Sequence, residues 1–157
     1  MSKEYTCLGM MSGTSGDGVD ASIIQSDGLD KFTILKEKYY EYDEKLFRDY
    51  HDLKKKINSS SDLKKNSSLI KKLENTITIF HAKVVKDIIK EFDVDLIGFH
   101  GQTIYHNPNE KISLQLGNGN LLSQLTKKKI VFNFRQNDIK NGGEGAPLTP
   151  IFHKYLI

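Results

Sequence analysis

Residues 9–20 read GMMSGTSGDGVD, and this stretch decides how the rest of the chain is interpreted. It holds four glycines, three hydroxyl side chains and two carboxylates, and it lies between two β-rich runs at residues 5–11 and 19–25. Small residues between two strands indicate a tight turn whose backbone is accessible. The sequence therefore predicts a β-hairpin whose turn can approach a ligand closely.

Three kinds of chemistry compete for this turn. A nucleophile elbow of the G-x-S-x-G type is disfavoured because Asp17 stands where the second glycine is required and a strand follows. A phosphate loop of the G-x-x-x-x-G-K-[ST] type needs a lysine that is absent here. In the third interpretation the amides and the hydroxyls of Thr14 and Ser15 bind a phosphate, while Asp17 or Asp20 holds a metal ion or its waters. Residue types alone leave an ordinary turn without a ligand equally open.

The composition is that of a globular protein. A chain of 157 residues, 38% hydrophobic and 27% charged, predicts one domain with its own core. Cys7 is the single cysteine, which excludes an internal disulfide and a cysteine-based zinc cage and fits a reducing compartment.

Charge and hydropathy narrow the expected location and partners. The first residues contain no apolar leader segment, and no run approaches eighteen apolar residues, so we expect a soluble, cytoplasmic protein without a membrane partner. The net charge is +3, but the 23 basic residues are interleaved with 20 acidic ones. Nucleic-acid binding is therefore not expected.

The first half of the chain changes from strand to helix periodicity. Residues 31–42 alternate as a third strand, so three sequential strands predict an antiparallel meander. Residues 43–57 have helical spacing, and a longer helix follows the NSSSD segment at residues 58–62. The apolar face of that longer helix is predicted from Leu69, Ile70, Leu73, Ile77, Phe80, Val84, Ile88 and Ile89. Its lysines, Lys64, Lys65, Lys71, Lys72, Lys83 and Lys86, are expected on the solvent side.

The second half predicts parallel strands with a crossover. Residues 95–100 suit a buried parallel strand, with Gly101 turning the chain at its end. Asn118 or Asn120 is expected to cap a short helix that runs through Leu125, and residues 130–134 are a further buried strand. A glycine-rich loop at residues 141–150 precedes a new helix with Pro147 in its first turn. The whole order predicts an α/β fold, a mixed sheet with flanking helices.

Three segments carry a resemblance to a known family. GMMSGTSGDGVDASI (residues 9–23) resembles the N-terminal signature of the anhydro-N-acetylmuramic acid kinases. HGQTIYHNP (100–108) with SLQLGNGNLL (113–122), and FRQNDIKNGGEGAPLTPIFH (134–153), resemble later motifs of that family in the same order and at similar spacing.

The resemblance implies a fold and an activity. The family is similar in fold to the sugar kinases and actin, a ribonuclease H-like architecture of two domains with ATP in the cleft between them. Its members use ATP with Mg²⁺ to open 1,6-anhydro-N-acetylmuramic acid with water and phosphorylate O6, which gives N-acetylmuramic acid 6-phosphate in peptidoglycan recycling. The partners implied are these small molecules, with a homodimer as a candidate assembly.

The resemblance also implies site residues. Its ATP-binding segment corresponds to Gly13, Thr14, Ser15, Gly16, Asp17, Gly18, Val19 and Asp20. His100, Gln102, Asn118 and Arg135 are expected to bind substrate, and His106 suits either a sugar contact or a structural role. The arginine fork suits a phosphate or carboxylate, and a surface ion pair of Arg135 with Asp138 is the alternative.

The chain departs from the family in length and at three positions. Members are more than twice as long, so residues 1–157 are expected to be the N-terminal actin-like domain, with the C-terminal domain absent and the catalytic aspartate base beyond Ile157. Gly16 replaces an expected leucine, Asn133 an expected aspartate and Glu144 an expected glutamine. We therefore expect the isolated chain to lack turnover. A non-catalytic nucleotide- or amino-sugar-binding module, and a self-associating remnant of a truncated gene, are the rival interpretations.

Overall fold

The computed structural model describes residues 3–29 and 31–153, and its first three strands form an antiparallel meander. These strands are β1 (Tyr5–Ser12), β2 (Gly18–Ser26) and β3 (Phe32–Glu41). Leu8 lies opposite Ile23, and Val19 lies opposite Tyr40. The predicted meander is confirmed, with the glycine-rich segment as the turn between β1 and β2.

The second half adds three strands to the same sheet. They are β4 (Leu96–Asn107), β5 (Ile112–Leu116) and β6 (Ile130–Phe132). β4 runs parallel to β1 and to β6 and antiparallel to β5, which gives the order β3-β2-β1-β4-β5 with β6 also paired to β4. β6 pairs with the first half of β4 and β5 with the second half. The mixed sheet is as predicted, whereas the sequence pattern does not predict β5.

Gly101 lies within a strand and does not end one. The prediction that the chain turns at Gly101 is wrong, because β4 continues to Asn107. Met10 of β1 pairs with Phe99 of β4, and Ser12 pairs with Gln102, so β4 has one extra residue between these pairs. This irregularity is a β-bulge. Gly101 has φ +74°, and a Cβ there would lie 2.6 Å from the Leu116 carbonyl oxygen. Glycine at this position therefore allows β5 to approach the bulged strand.

Six α-helices accompany the sheet in the described part of the chain. They are α1 (Glu44–Lys54), α2 (Ser60–Lys65), α3 (Ser67–Ile88), α4 (Gly119–Thr126), α5 (Phe134–Lys140) and α6 (Pro150–His153). The predicted helices at residues 43–57 and along the later apolar face are confirmed by α1 and α3, but Leu69, predicted on that face, is exposed. A capping box of Ser59 and Asp62 starts the separate helix α2. β6 ends before Phe134, α5 is not predicted by the sequence, and α6 begins at Pro150 where the sequence suggests Pro147.

The core lies between the sheet and α1, α3 and α4. Apolar side chains that alternate along the strands meet the buried faces of these helices, and the buried set includes Leu8, Met10, Val19, Ala21, Ile23, Tyr50, Leu73, Ile77, Val85, Ile88, Ile97, Phe99 and Leu122. The six lysines that we expected on the solvent side of α2 and α3 are all exposed. Two polar residues, Thr78 and His81, lie on the buried face of α3.

Candidate functional site

The sheet brings the sequence motifs to one edge. β1, β4 and β6 are parallel, and the glycine-rich turn follows the carboxyl end of β1 while Arg135 lies three residues after β6. The bulge in the pairing of β1 with β4 places Gln102 opposite Ser12 in β1 and Leu116 in β5. Ligands of open α/β sheets bind outside the carboxyl ends of parallel strands. The fold therefore assembles a candidate site from segments that are distant in sequence.

The turn between β1 and β2 presents polar groups to solvent. The Gly16 amide donates to the Gly13 carbonyl at 3.1 Å, which closes a tight turn, and Thr14, Ser15 and Asp17 are exposed. Within residues 3–29 and 31–153, the backbone amides of Thr14 and Ser15 make none of the hydrogen bonds found. Exposed consecutive amides next to hydroxyls can bind an anionic oxygen.

Asp17 is an ionised carboxylate at the edge of this turn. The Ser15 hydroxyl donates to Asp17 Oδ1 at 2.6 Å. This bond, followed by one from the backbone amide of Asp17 itself, lowers the pKa of the carboxyl below its usual value. Asp20, on β2, is also exposed. Both carboxylates are accessible from solvent.

Gly16 occupies a position that a larger residue would not tolerate. Its φ is +65°, and a Cβ would contact Cε1 and Cδ1 of the Tyr50 ring. Tyr50 is fully buried, and its hydroxyl donates to the Thr103 carbonyl at 2.9 Å. Gly16 stands where the resemblance leads us to expect leucine, and a leucine side chain in this backbone position would overlap the Tyr50 ring.

Gln102 lies beneath the turn. Its side chain has no exposed surface, and Nε2 donates to the Gly13 carbonyl at 2.7 Å. The Tyr42 hydroxyl donates to Oε1 at 3.3 Å. Both ends of the amide are therefore used inside the protein, which connects Gln102 to the turn rather than to solvent.

His100 and Arg135 form a direct pair. Arg135 Nε donates to His100 Nε2 at 2.7 Å, and His100 Nδ1 donates to the Gly101 carbonyl at 2.8 Å. His100 is thus neutral, and burial, which lowers its pKa, agrees with this. Arg135 Nη1 donates to the Gly145 carbonyl at 2.9 Å. In the described part of the chain Nη2 has no hydrogen-bond partner, so one end of the guanidinium fork is available to a ligand.

The alternative ion pair of Arg135 with Asp138 is not formed between these two described residues. Asp138 Oδ2 instead accepts from the Gly145 amide at 2.8 Å. Both backbone polar groups of Gly145 are therefore engaged, the carbonyl by Arg135 and the amide by Asp138.

Asn118 starts α4. Its Oδ1 accepts from the Leu121 amide at 2.9 Å, and its own amide donates to Thr78 Oγ1 at 3.0 Å. Asn118, and not Asn120, is thus the N-cap, which settles the alternative that the sequence left open. His106 is exposed, and its Nδ1 lies 3.0 Å from Ser113 Oγ.

The other two departures lie at a left-handed backbone position and on the surface. Asn133 has φ +64° immediately before α5, a conformation that asparagine adopts more readily than most residues. Glu144 is exposed between Gly143 and Gly145. Neither residue interrupts the hydrogen bonds that hold Arg135.

Three buried polar residues beneath the turn are not predicted by the sequence pattern. Ser12, Tyr42 and His81 connect with Gln102 through hydrogen bonds. The pattern contained part of the signal, because Ser12 continues the inward alternation of Leu8 and Met10, and His81 lies four residues after buried Ile77. Their mutual contact depends on the tertiary packing of β1 against α3.

The described residues contain no ready-made metal cage and no membrane-crossing helix. No group of three or more histidine, cysteine, aspartate or glutamate side chains there is arranged to hold a metal ion. Mg²⁺ bound together with phosphates needs only one or two carboxylates, which Asp17 and Asp20 fit. None of the helices in residues 3–29 and 31–153 has the length and apolar character needed to span a bilayer.

Comparison with known proteins agrees with the motifs. Residues 5–157 match the family described as anhydro-N-acetylmuramic acid kinase. A protein of that name from Pelagibacter ubique is 60% identical over 159 residues, which covers 100% of this chain and 42% of the relative. Proteins of the same name from Brucella canis and Ruegeria are 36% and 38% identical, over 95% and 93% of this chain and 41% and 36% of the relatives.

The chain thus spans about two fifths of the length of the curated relatives it matches. The match extends through the turn, the bulged strand β4 and the loop that holds Arg135, which are the segments that form the candidate site. The chain belongs to the anhydro-N-acetylmuramic acid kinase family.

Proposed function

We propose that this chain provides the phosphate-binding part of an ATP-dependent anhydro-N-acetylmuramic acid kinase. The reaction would open the 1,6-anhydro ring with water and transfer the γ-phosphoryl group of ATP to O6, giving N-acetylmuramic acid 6-phosphate. The supporting observation is the exposed turn of residues 13–17 at the carboxyl edge of the parallel strands, with two amides and two hydroxyls at its surface. On this proposal residues 1–157 are an actin-like domain, and the rest of the ATP cleft belongs to the remaining three fifths of the relatives' length.

Phosphoryl transfer needs positioning and charge neutralisation more than covalent chemistry. The amides of Thr14 and Ser15 would bind phosphate oxygens, and Asp17 would hold Mg²⁺ or its waters. Mg²⁺ would supply neutralisation of the phosphate charge when bound. The family's aspartate base that activates water has no assigned counterpart among these residues.

His100, Asn118 and Arg135 would face the sugar or its developing phosphate. His100 and the Gly145 carbonyl fix two nitrogens of the guanidinium, so Nη2 would contact an anionic oxygen without further ordering of the side chain. Gln102, also expected at the substrate, has its amide engaged by Gly13 and Tyr42. We therefore assign Gln102 a role in supporting the turn from behind. The reaction would take place in the cytoplasm, and a homodimer remains a proposal for sedimentation measurements.

A chimera tests the proposed activity. Residues 5–157 would replace the matching segment of the Pelagibacter ubique relative, and ADP release would be followed with ATP, Mg²⁺ and the anhydro sugar. We expect sugar-dependent ADP release that falls at least about tenfold in the Arg135→Ala variant, because a charge-assisted contact is lost.

The chain offers a matched control for this experiment. Its only other arginine, Arg48, pairs with Glu44 on the exposed surface of α1 at 3.0 Å. Arg48→Ala should leave ADP release unchanged. A folded chimera without sugar-dependent ADP release would contradict the kinase proposal, and ATP binding by that chimera would then favour the non-catalytic module. Equal losses in the two arginine variants would contradict the role of Arg135.

A further inference from the structure

A chain of buried polar contacts connects the turn to helix α3. Gln102 Nε2 donates to the Gly13 carbonyl at 2.7 Å, and the Tyr42 hydroxyl donates to Gln102 Oε1 at 3.3 Å. Ser12 Oγ lies 3.2 Å from both the Tyr42 hydroxyl and His81 Nε2. The exposed fractions of Ser12, Tyr42, His81 and Gln102 are 2%, 4%, 0% and 0%. Water therefore does not compete for these contacts, and each donor must find its partner within the protein.

The protonation of His81 fixes the direction of its contact with Ser12. His81 Nδ1 lies 2.8 Å from the Ile77 carbonyl oxygen, which can only accept, so Nδ1 carries the proton. Burial lowers the pKa of His81 to about 4, which keeps the ring neutral. Nε2 is then an acceptor, and the Ser12 hydroxyl donates to it.

The hydroxyl protons of Ser12 and Tyr42 limit the possible directions of these hydrogen bonds. Two hydroxyl protons, on Ser12 and Tyr42, serve three contacts. His81 Nε2 and Gln102 Oε1 are both acceptors, and both are satisfied only when Ser12 donates to His81 and Tyr42 donates to Gln102. The Gly13 carbonyl, which can only accept, selects one of the two orientations of the Gln102 amide, and the Tyr42 hydroxyl then donates to Oε1. The opposite orientation would place the carbonyl oxygen of Gln102 against that of Gly13.

The orientation of Gln102 reaches the ligand side of the turn through one peptide plane. The Gly13 carbonyl and the Thr14 N–H belong to the same planar peptide and point in opposite directions. Gln102 Nε2 and the Gly16 amide both donate to this carbonyl, so the Thr14 amide is directed away from them. Gly13 has no Cβ to resist rotation of this peptide, and a Cβ added there would have Ser15 Oγ as its nearest contact, at 3.4 Å.

We propose that Gln102, held by the hydrogen bond from Tyr42, is a positioning residue that keeps the Thr14 amide directed toward the phosphates of the nucleotide. The inference rests on the proposed function of the turn, and it assigns Gln102 a role behind the site. These hydrogen bonds would be in place before ATP arrives, so that binding does not have to reorder the Gly13 peptide.

Two variants test the positioning role. Tyr42→Phe removes only the hydroxyl that donates to Oε1 of Gln102, and Gln102→Met removes the amide at similar volume. Tyr40→Phe is the matched control, because Tyr40 lies two residues earlier, at the end of β3, and its hydroxyl donates to Asp87 Oδ2 at 2.8 Å, away from the turn. The isotope-labelled 157-residue chain would be measured by NMR without ligand and during titration with Mg-ATP.

Without ligand, we expect the Gly13 carbonyl ¹³C shift and the residual dipolar coupling of the Thr14 N–H to change in Tyr42→Phe and Gln102→Met, and to stay constant in Tyr40→Phe. With Mg-ATP, the dissociation constant should rise about tenfold in Gln102→Met and less in Tyr42→Phe, the range expected for one lost hydrogen bond.

The ligand-free readout separates this inference from the proposed function. Unchanged Gly13 and Thr14 signals in both folded variants would overturn the positioning role. Absence of Mg-ATP binding by the unmodified chain would overturn the phosphate-binding function and with it the stated purpose of these hydrogen bonds, whereas the Gly13 signals would still show whether Gln102 orients the turn. Equal weakening of Mg-ATP binding in Tyr40→Phe would assign the effect to general stability and would also overturn the inference.

Discussion

Individual residues show where local chemistry and tertiary packing agree, and Gly16 is the clearest case. The sequence identifies it as a turn glycine, but only the structure shows that the ring of Tyr50 fills the space of its missing side chain. The turn and helix α1 are therefore fitted to each other.

Gly16→Ala should destabilise the chain by about 2–4 kcal/mol, because a left-handed backbone with a Cβ and an overpacked tyrosine ring both add to the cost. Gly28→Ala is the control, since Gly28 has φ +76° and nothing within 4 Å of a Cβ. It should cost only about 1 kcal/mol. Denaturant unfolding of both variants measures the difference, and equal losses would show that Tyr50 does not constrain the turn.

His81 makes stability depend on pH. Its pKa is lowered to about 4, chiefly by burial and in addition by the nearby His100. The unfolded chain therefore binds a proton on this side chain below about pH 6.5, whereas the folded chain does not. The stability contributed by neutral, buried His81 is complete above about pH 6.5. As the pH falls toward 4, the free energy of unfolding decreases by roughly 3 kcal/mol from this side chain.

The prediction is that His81→Gln loses less stability than the unmodified chain between about pH 7 and about pH 4.5. His106→Gln, at an exposed position of β4, should keep the pH dependence of the unmodified chain. Unfolding free energies at several pH values provide the measurement. Parallel pH profiles for His81→Gln and the unmodified chain would contradict a buried neutral His81.

At the scale of elements, local pattern predicts the structures that are long or strongly periodic. The meander, α1 and the buried face of α3 follow from alternation and helical spacing. β5 is missed because its five residues are stabilised by pairing with β4, and α5 because its seven residues bury only Ile139. The conformation at Gly101 depends on the approach of Leu116, which no local pattern contains.

Helix α4 allows the structural and the proposed binding roles of Asn118 to be separated. Asn118→Ala should destabilise the chain by about 1 kcal/mol, since it removes the N-cap bond to Leu121. Asn118→Asp keeps an acceptor oxygen but loses the side-chain amide donor, so stability should stay within about 0.5 kcal/mol. Thermal unfolding and NMR titration with the anhydro sugar give the two readouts. Sugar binding by Asn118→Asp equal to that of the unmodified chain would contradict a sugar contact from this amide.

At the scale of the whole molecule, the sequence motifs identify residues of the candidate site, but they do not predict how these residues are arranged. The turn and Arg135 follow the carboxyl ends of β1 and β6, whereas His100 and Gln102 lie inside β4 beside those ends and not after a strand end, and the binding roles of all four stay predictions. The pairing of His100 with Arg135, and the buried position of Gln102, could not be predicted, because both depend on how β4 bulges between its neighbours. Polar side chains within a motif can thus lie on either side of the backbone that is proposed to bind the ligand.

In the proposed function, the turn between β1 and β2 binds the phosphates of ATP. Titration of the ¹⁵N-labelled 157-residue chain with Mg-ATP, with adenosine as the control that lacks phosphates, tests it most directly. We expect Mg-ATP to cause its largest amide chemical-shift changes at residues 13–18, and adenosine should not reproduce them. Saturating Mg-ATP that leaves these amides unshifted, or that shifts only residues away from this edge of the sheet, would contradict it.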